Sequence, residues 1–225
     1  MKRLCSEFYL AWMLVLVCPL IASALVVDDF RDGALELTLS RSVSTSSQTV
    51  LVDSLDPAHT VGGERLVYGS TGDTANLQIA PNPGFFQFDA SVSWGYFRLS
   101  YGSADNPLDV NLRADGSNAF LLTFPEVTPG LWRGSYDFSL TSPTGVRTYG
   151  LESQLFALNG PGAIRIPFSY FDNLDLTHVS SMTLDAVRVE PTFRIRIGSI
   201  VTIPEPASWL SVMLALSTWF LTRRR

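Results

Sequence analysis

"FQFDASVSWGY", residues 86–96, decides how the middle of this chain is read. Phe86, Phe88, Ala90, Val92, Trp94 and Tyr96 alternate with Gln87, Asp89, Ser91, Ser93 and Gly95. A period of two is the signature of a strand with one buried face. The pattern therefore predicts a strand over 86–96 with Trp94 and Tyr96 on the core side. Shorter copies of the alternation follow. Leu108-Val110-Leu112 is interleaved with Asp109, Asn111 and Arg113, Tyr136-Phe138-Leu140 repeats the spacing, and Phe193-Ile195-Ile197 brackets Arg194 and Arg196. Turn formers separate these runs at Gly62-Gly63, Pro81-Asn82-Pro83-Gly84, Asp115-Gly116, Pro129-Gly130, Pro143-Thr144-Gly145 and Asn159-Gly160-Pro161-Gly162. No long helical stripe competes, so the expected fold class is all-β, a β-sandwich. The Ser/Thr-rich stretch 40–49 is expected as a solvent-facing strand or loop.

The two ends of the chain read differently. Lys2-Arg3, the apolar run from Phe8 to Ile21 and the small residues Ala22-Ser23-Ala24 have the layout of a secretory signal peptide over 1–24, with signal peptidase cutting after Ala24. Both cysteines, Cys5 and Cys18, lie in it. The segment left behind has no disulfide to rely on and must build an ordinary hydrophobic core. From Leu25 to Pro206 it holds 11 arginines and no lysine against 14 Asp and 6 Glu, so 11 − 20 = −9. A distributed acidic surface speaks against nucleic acid as a partner and leaves carboxylates available for a divalent cation.

At the other end, Ala207 to Thr222 contains no charged residue and is followed by Arg223, Arg224 and Arg225. As a helix, residues 207–222 would be about 24 Å long, close to the roughly 30 Å of a hydrocarbon core, with Trp209 and Trp219 near the interfaces. The arginines would stay on the cytoplasmic side and the globular part outside. Pro204 and Pro206 keep the helix from starting earlier, which leaves Ile203-Pro204-Glu205-Pro206 extended and accessible.

Pro204-Glu205-Pro206, the short membrane helix and the basic cluster together resemble the PEP-CTERM sorting signal of Gram-negative bacteria, over residues 204–225. The resemblance implies that an exosortase recognises and removes this tail. The protein would be held transiently in the inner membrane, then released to the cell surface or an exopolysaccharide matrix. A sortase LPxTG sequence is absent, and a glycolipid-anchor signal would not end in arginines.

Residues 25–203 carry a second resemblance. "VVDDFRDG", "LDVNLRADGSNAFLLTF", "IRIPFSYF", "LDLTHVSSMTLDAV" and "IRIGSIVTIPEP" look in their order like a galactose-binding-type jelly roll. That family implies carbohydrate binding and, near the chain start, a calcium site, for which Asp28, Asp29 and Asp32 are the candidates. Gly198 stands where the last strand of such domains often carries an aspartate, so the resemblance does not extend the cation site to that strand.

Enzymatic motifs are missing from the sequence. There is no GxSxG, HExxH or CxxC, and Asp109 to Phe120 departs from a calcium loop at Arg113, Ala114 and Phe120. His59 and His178 lie in polar contexts without a recognisable partner in sequence. The chain is therefore read as a non-enzyme with no catalytic residue. Binding has better support, since aromatic faces suit the apolar side of a sugar ring. Trp94, Tyr96, Tyr101, Trp132, Tyr136 and Tyr149 are available. Tyr101, before "GSADN", and Trp132, after a Pro-Gly turn, are the ones expected at the surface, with Arg113 and Arg98 as hydrogen-bond donors. A matrix protein without a specific ligand and an accessory glycan-active enzyme are the alternatives.

Overall fold

The computed structural model describes residues 24–40, 46–90, 94–127, 134–158, 160–188 and 193–204. In chain order the strands are β1 (Val26–Asp28), β2 (Leu35–Ser40), β3 (Ser46–Val52), β4 (Arg65–Thr71), β5 (Thr74–Ala80), β6 (Phe85–Ala90), β7 (Gly95–Tyr101) and β8 (Ser117–Phe124). They continue with β9 (Glu126–Val127), β10 (Gly134–Ser142), β11 (Gly145–Gly150), β12 (Gly162–Pro167), β13 (Ser181–Arg188), β14 (Phe193–Ile197) and β15 (Ser199–Pro204). One short helix, α1 (Glu152–Leu158), lies between β11 and β12.

Three antiparallel sheets result. The six-stranded one runs β11-β10-β13-β7-β4-β3, the five-stranded one β2-β5-β6-β14-β9, and the four-stranded one β1-β15-β8-β12. The layering follows from where the phenylalanines meet. Phe97 on β7 packs on Phe86 and Phe88 of β6, with ring centroids 5.0 and 5.3 Å apart. Phe138 on β10 packs on Phe120 of β8 at 4.8 Å. The six-stranded sheet is thus one layer of a sandwich, and the two smaller sheets together face it. One buried apolar cluster joins all three.

The passage from the five- to the four-stranded sheet occurs at Gly198, between β14 and β15. A Cβ there would come within 2.9 Å of Pro125 Cγ and 3.0 Å of Thr123 Oγ1. A side chain there, aspartate included, would require Pro125 or Thr123 to shift, which favours glycine at the sheet switch.

The expected single strand 86–96 is two strands in opposite layers, β6 and β7, with residues 91–93 outside the described set. The crossing resets the phase. Phe86, Phe88 and Ala90 are buried as the alternation predicts, but on β7 the inward positions are Phe97, Leu99 and Tyr101. Tyr96 therefore faces outward, and the core assignment for it is corrected. Trp94 precedes β7 and is half-buried.

Leu108-Val110-Leu112 also differs from expectation. It forms an isolated bridge, Val110 to Val179, flanked by Leu108 N to Ser180 O and Leu112 N to Leu176 O, both 2.9 Å. Asp109 has a φ of 47°, so the backbone cannot continue as a regular strand there. Tyr136-Phe138-Leu140 on β10, and Ile195 and Ile197 on β14, do point into the core as the alternation predicts. Among the described residues no helix is long and apolar enough to cross a membrane. The expected span 207–222, residues 1–23 of the expected leader 1–24, Glu205, Pro206 and the terminal arginines lie outside them.

Candidate functional site

The aspartates at the chain start do three separate jobs. Asp28, on β1, is fully buried and chelated by Arg65 of β4, itself fully buried. Arg65 Nε and Nη2 both donate to the Asp28 carboxylate, the latter at 2.6 Å, and Tyr101 Oη donates to its Oδ2 at 2.7 Å. Phe30 N adds a fourth donor at 2.8 Å, and the Arg65 guanidinium lies 5.1 Å over the Phe30 ring. Burial is the largest influence on both ions. It raises the Asp28 carboxyl and opposes the charge of Arg65, yet Asp28's field and hydrogen bonds still hold Arg65 above its ordinary value.

Asp29 instead holds His59, with Nδ1 to Oδ2 at 2.9 Å, and these bonds raise the imidazole. Asp32 accepts from Gly33 N at 2.8 Å and from Asp56 N at 2.7 Å, donors that lower its carboxyl. The calcium set is therefore corrected at Asp28, where the chain's own guanidinium fills the cation's place. Among the described residues no group of three metal-ligating side chains converges. The histidines do have partners, which the sequence hid: Asp29 for His59, and Asp175, three residues away, for His178 at 3.1 Å.

Tyr101 is likewise corrected. It is 0% exposed, its hydroxyl spent on Asp28, and it offers no surface to a sugar. Trp132 lies outside the described residues. Arg113 is exposed and borders a groove of about 420 Å³ with Asn118, Arg165, Phe168, Ser169 and Asp172. Its guanidinium is 3.9 Å from Asp172, and Arg165 donates to Asn118 at 3.0 Å. The groove's aromatic ring, Phe168, is buried, so no flat face is presented there.

An amphipathic face exists elsewhere, on the outside of the six-stranded sheet. Register sets Asp137, Asp185, Arg98, Tyr68 and Thr49 in one row across β10, β13, β7, β4 and β3. The adjacent row is Ser135, Val187, Tyr96, Ser70 and Ser47. The row on the other side is Ser139, Thr183, Ser100, Leu66 and Leu51. Tyr68 and Tyr96 meet edge to face at 5.3 Å. Arg98 donates from Nε to Asp185 Oδ1 at 2.5 Å, Tyr96 Oη donates to the same oxygen at 2.9 Å, and the guanidinium lies 5.7 Å from the Tyr96 ring.

Large apolar side chains are left on this face as well: Leu51 is 54% exposed, Leu66 36% and Val187 37%. Aromatic and aliphatic surface interleaved with hydroxyls, two carboxylates and a fixed guanidinium is what a polyhydroxylated ring needs, stacking below and directional hydrogen bonds at its rim. Partial burial, then Glu152 and Asp185, raise the Asp137 carboxyl. Sequence reasoning missed Tyr68 and Asp185 and assigned Tyr96 to the core, because only the pairing of β4, β7 and β13 brings the three together.

No protein family matches the chain, and no curated protein matches it. Among solved structures it is similar to the family 11 carbohydrate-binding module from Clostridium thermocellum, in complex with a β-1,3-1,4-mixed-linked tetrasaccharide. There the TM-score is 0.37 and the identity 13%, over 80% of this chain and 95% of that one. It is also similar to a family 28 module specific for non-crystalline cellulose, at a TM-score of 0.34 and 10% identity, over 60% of this chain and 78% of that one. At these scores no residue-level correspondence follows.

Two outcomes are expected from this geometry. Asp28→Asn should cost about 3–5 kcal/mol in urea unfolding, because it leaves Arg65 a buried charge without its counter-ion, while melts in chelator and in millimolar calcium coincide. A calcium-raised melting temperature would restore the metal reading. Asp137→Asn should raise the melting temperature at neutral pH, since a carboxyl whose folded value is raised destabilises the fold once ionised. That gain should vanish as pH falls below the ordinary carboxylate range, and differential scanning calorimetry across pH checks it.

Proposed function

We propose that this chain is an exported, exosortase-processed surface or extracellular-matrix protein whose jelly-roll ectodomain binds exopolysaccharide on the outer face of the six-stranded sheet. The observation that carries the binding part is the gathering of Tyr68, Tyr96, Leu66 and Val187 around the Arg98–Asp185 pair on one solvent-facing surface. An acidic domain repels acidic polymers, so the attraction comes from stacking and hydrogen bonding and is nearly indifferent to salt. No catalytic role is assigned.

The sorting part rests on the terminal sequence and on where the fold ends. β1 and β15 are antiparallel neighbours, so Leu25 and Pro204 leave the sheet at the same end. Both membrane-directed segments would emerge there, with the binding face free on another side of the domain. Pro204 pairs with Ser117 across a register shift at the end of β15. Proline is tolerated at such an irregularity because no ladder hydrogen bond is asked of it. Ile203 and Pro204 are thus part of the sheet, so an exosortase would find its motif directly against the fold.

Tyr68→Ala and Tyr96→Ala should each weaken retention in affinity electrophoresis on the producing organism's exopolysaccharide about tenfold, the scale of losing an interface aromatic. Tyr96→Phe should keep most of it. Unchanged retention in a folded double alanine variant would refute the site. For the tail, intact-mass analysis of surface material should show loss of residues after about Pro206, and replacing Pro204, Glu205 and Pro206 should leave the protein membrane-bound with Arg225 still attached.

A further inference from the structure

Leu25 meets the last strand in an arrangement that a peptide nitrogen does not fully use. Thr202 N donates to Leu25 O at 2.9 Å. Leu25 N in turn faces two acceptors, Thr202 Oγ1 at 2.9 Å and Asp115 Oδ2 at 3.2 Å. These acceptors are fixed by their own bonds. Thr202 is fully buried, its hydroxyl oxygen receives Ser117 Oγ at 3.0 Å, and Asp115 Oδ1 accepts Ser117 N at 3.0 Å. Oδ2 accepts the Thr202 hydroxyl at 3.5 Å and faces Leu25 N. A peptide N–H carries one hydrogen and no charge, whereas an α-ammonium carries three and a full positive charge.

We propose that the junction of β1 and β15 is a receiving site for a free α-ammonium at Leu25, so that removing the residues before it creates an ion pair with Asp115 and locks the first strand to the last. The proposal rests on the export reading, specifically on cleavage after Ala24. The charged residues nearest in sequence to Asp115 and Leu25, Arg113 and Asp28, are engaged elsewhere. Arg113, in the same loop as Asp115, lies by Asp172 at 3.9 Å, Asp28 is turned inward to Arg65, and β15 holds no titratable side chain. Glu205, next in sequence after Pro204, is tested by substitution. A group whose folded value is raised by a carboxylate stabilises the fold fully below its ordinary range, roughly pH 7.7–8.0 for an α-amine, and loses that contribution as pH rises through the folded value.

The sequence makes this unusually direct to measure. Lys2 is the chain's only lysine, so after cleavage the Leu25 α-amine is its only aliphatic primary amine. The full-length precursor is exported by a bacterial host and the product weighed intact. It is then reductively dimethylated across neutral to alkaline pH, folded and in urea, as wild type, Asp115→Asn and Glu205→Gln. The asparagine keeps Oδ1 to accept from Ser117, so the turn is preserved, and circular dichroism checks the fold.

The expected product begins at Leu25, with a labelling midpoint about one pH unit above that of the unfolded chain, hence about tenfold slower labelling near neutrality. Asp115→Asn should return the midpoint to the unfolded value while leaving any steric slowing in place, and Glu205→Gln should leave it unchanged. Equal midpoints in wild type and Asp115→Asn overturn the pairing while the cleavage reading stands. A product beginning elsewhere overturns both.

Discussion

The buried contact between Asp28 and Arg65 holds the two layers at one end of the sandwich. β1 belongs to the four-stranded sheet and β4 to the six-stranded one, so this ion pair, with Tyr101 from β7, is a polar bolt through an apolar core. Such a pair contributes little net stability against an apolar replacement, but breaking it from one side is costly. Its value here is placement. Five donors, Thr60 Oγ1 among them, converge on one carboxylate, which fixes where β1 enters and hence the line along which β15 must run beside it.

That line links the remaining features. β15 follows β14 through Gly198, where the chain changes sheet, and the absence of a side chain there is a packing condition set by Pro125 and Thr123. At its far end β15 carries Thr202, which receives Leu25, and Pro204, which opens the proposed sorting motif. The first and last strands of the described fold are thus neighbours on one edge. Cleavage events at both termini would act on the same end of the molecule, while the outer face of the six-stranded sheet is formed from the middle of the chain.

That outer face departs from the usual economy of a soluble sheet. Leu51, Leu66 and Val187 stand exposed beside two tyrosines, and Asp137 and Asp185 are brought into the same row although their charges repel. Arg98 offsets the repulsion at Asp185, and Asp137 remains the strained member. Apolar exposure beside a carboxylate raised by its neighbours is what the proposed binding reading rests on.

The sequence alone determined the all-β class and the inward positions on β10 and β14, because each is written in local periodicity and turn chemistry. It could not assign sides to Tyr96 and Tyr101. Both lie on β7, yet local alternation carried over from Phe86 placed Tyr96 inside, while its place before a polar stretch placed Tyr101 outside. The true phase was reset where the chain crosses between layers. Nor could it show that Asp28 is satisfied by Arg65, 37 residues away. A run of three aspartates reads as a cation site only until the fold supplies a guanidinium. Pairing across strands is a long-range property, and the neighbours it creates, Tyr68 with Tyr96, Arg98 with Asp185 and Leu25 with Asp115, were decided by tertiary structure because strand register, which local sequence does not encode, sets who faces whom.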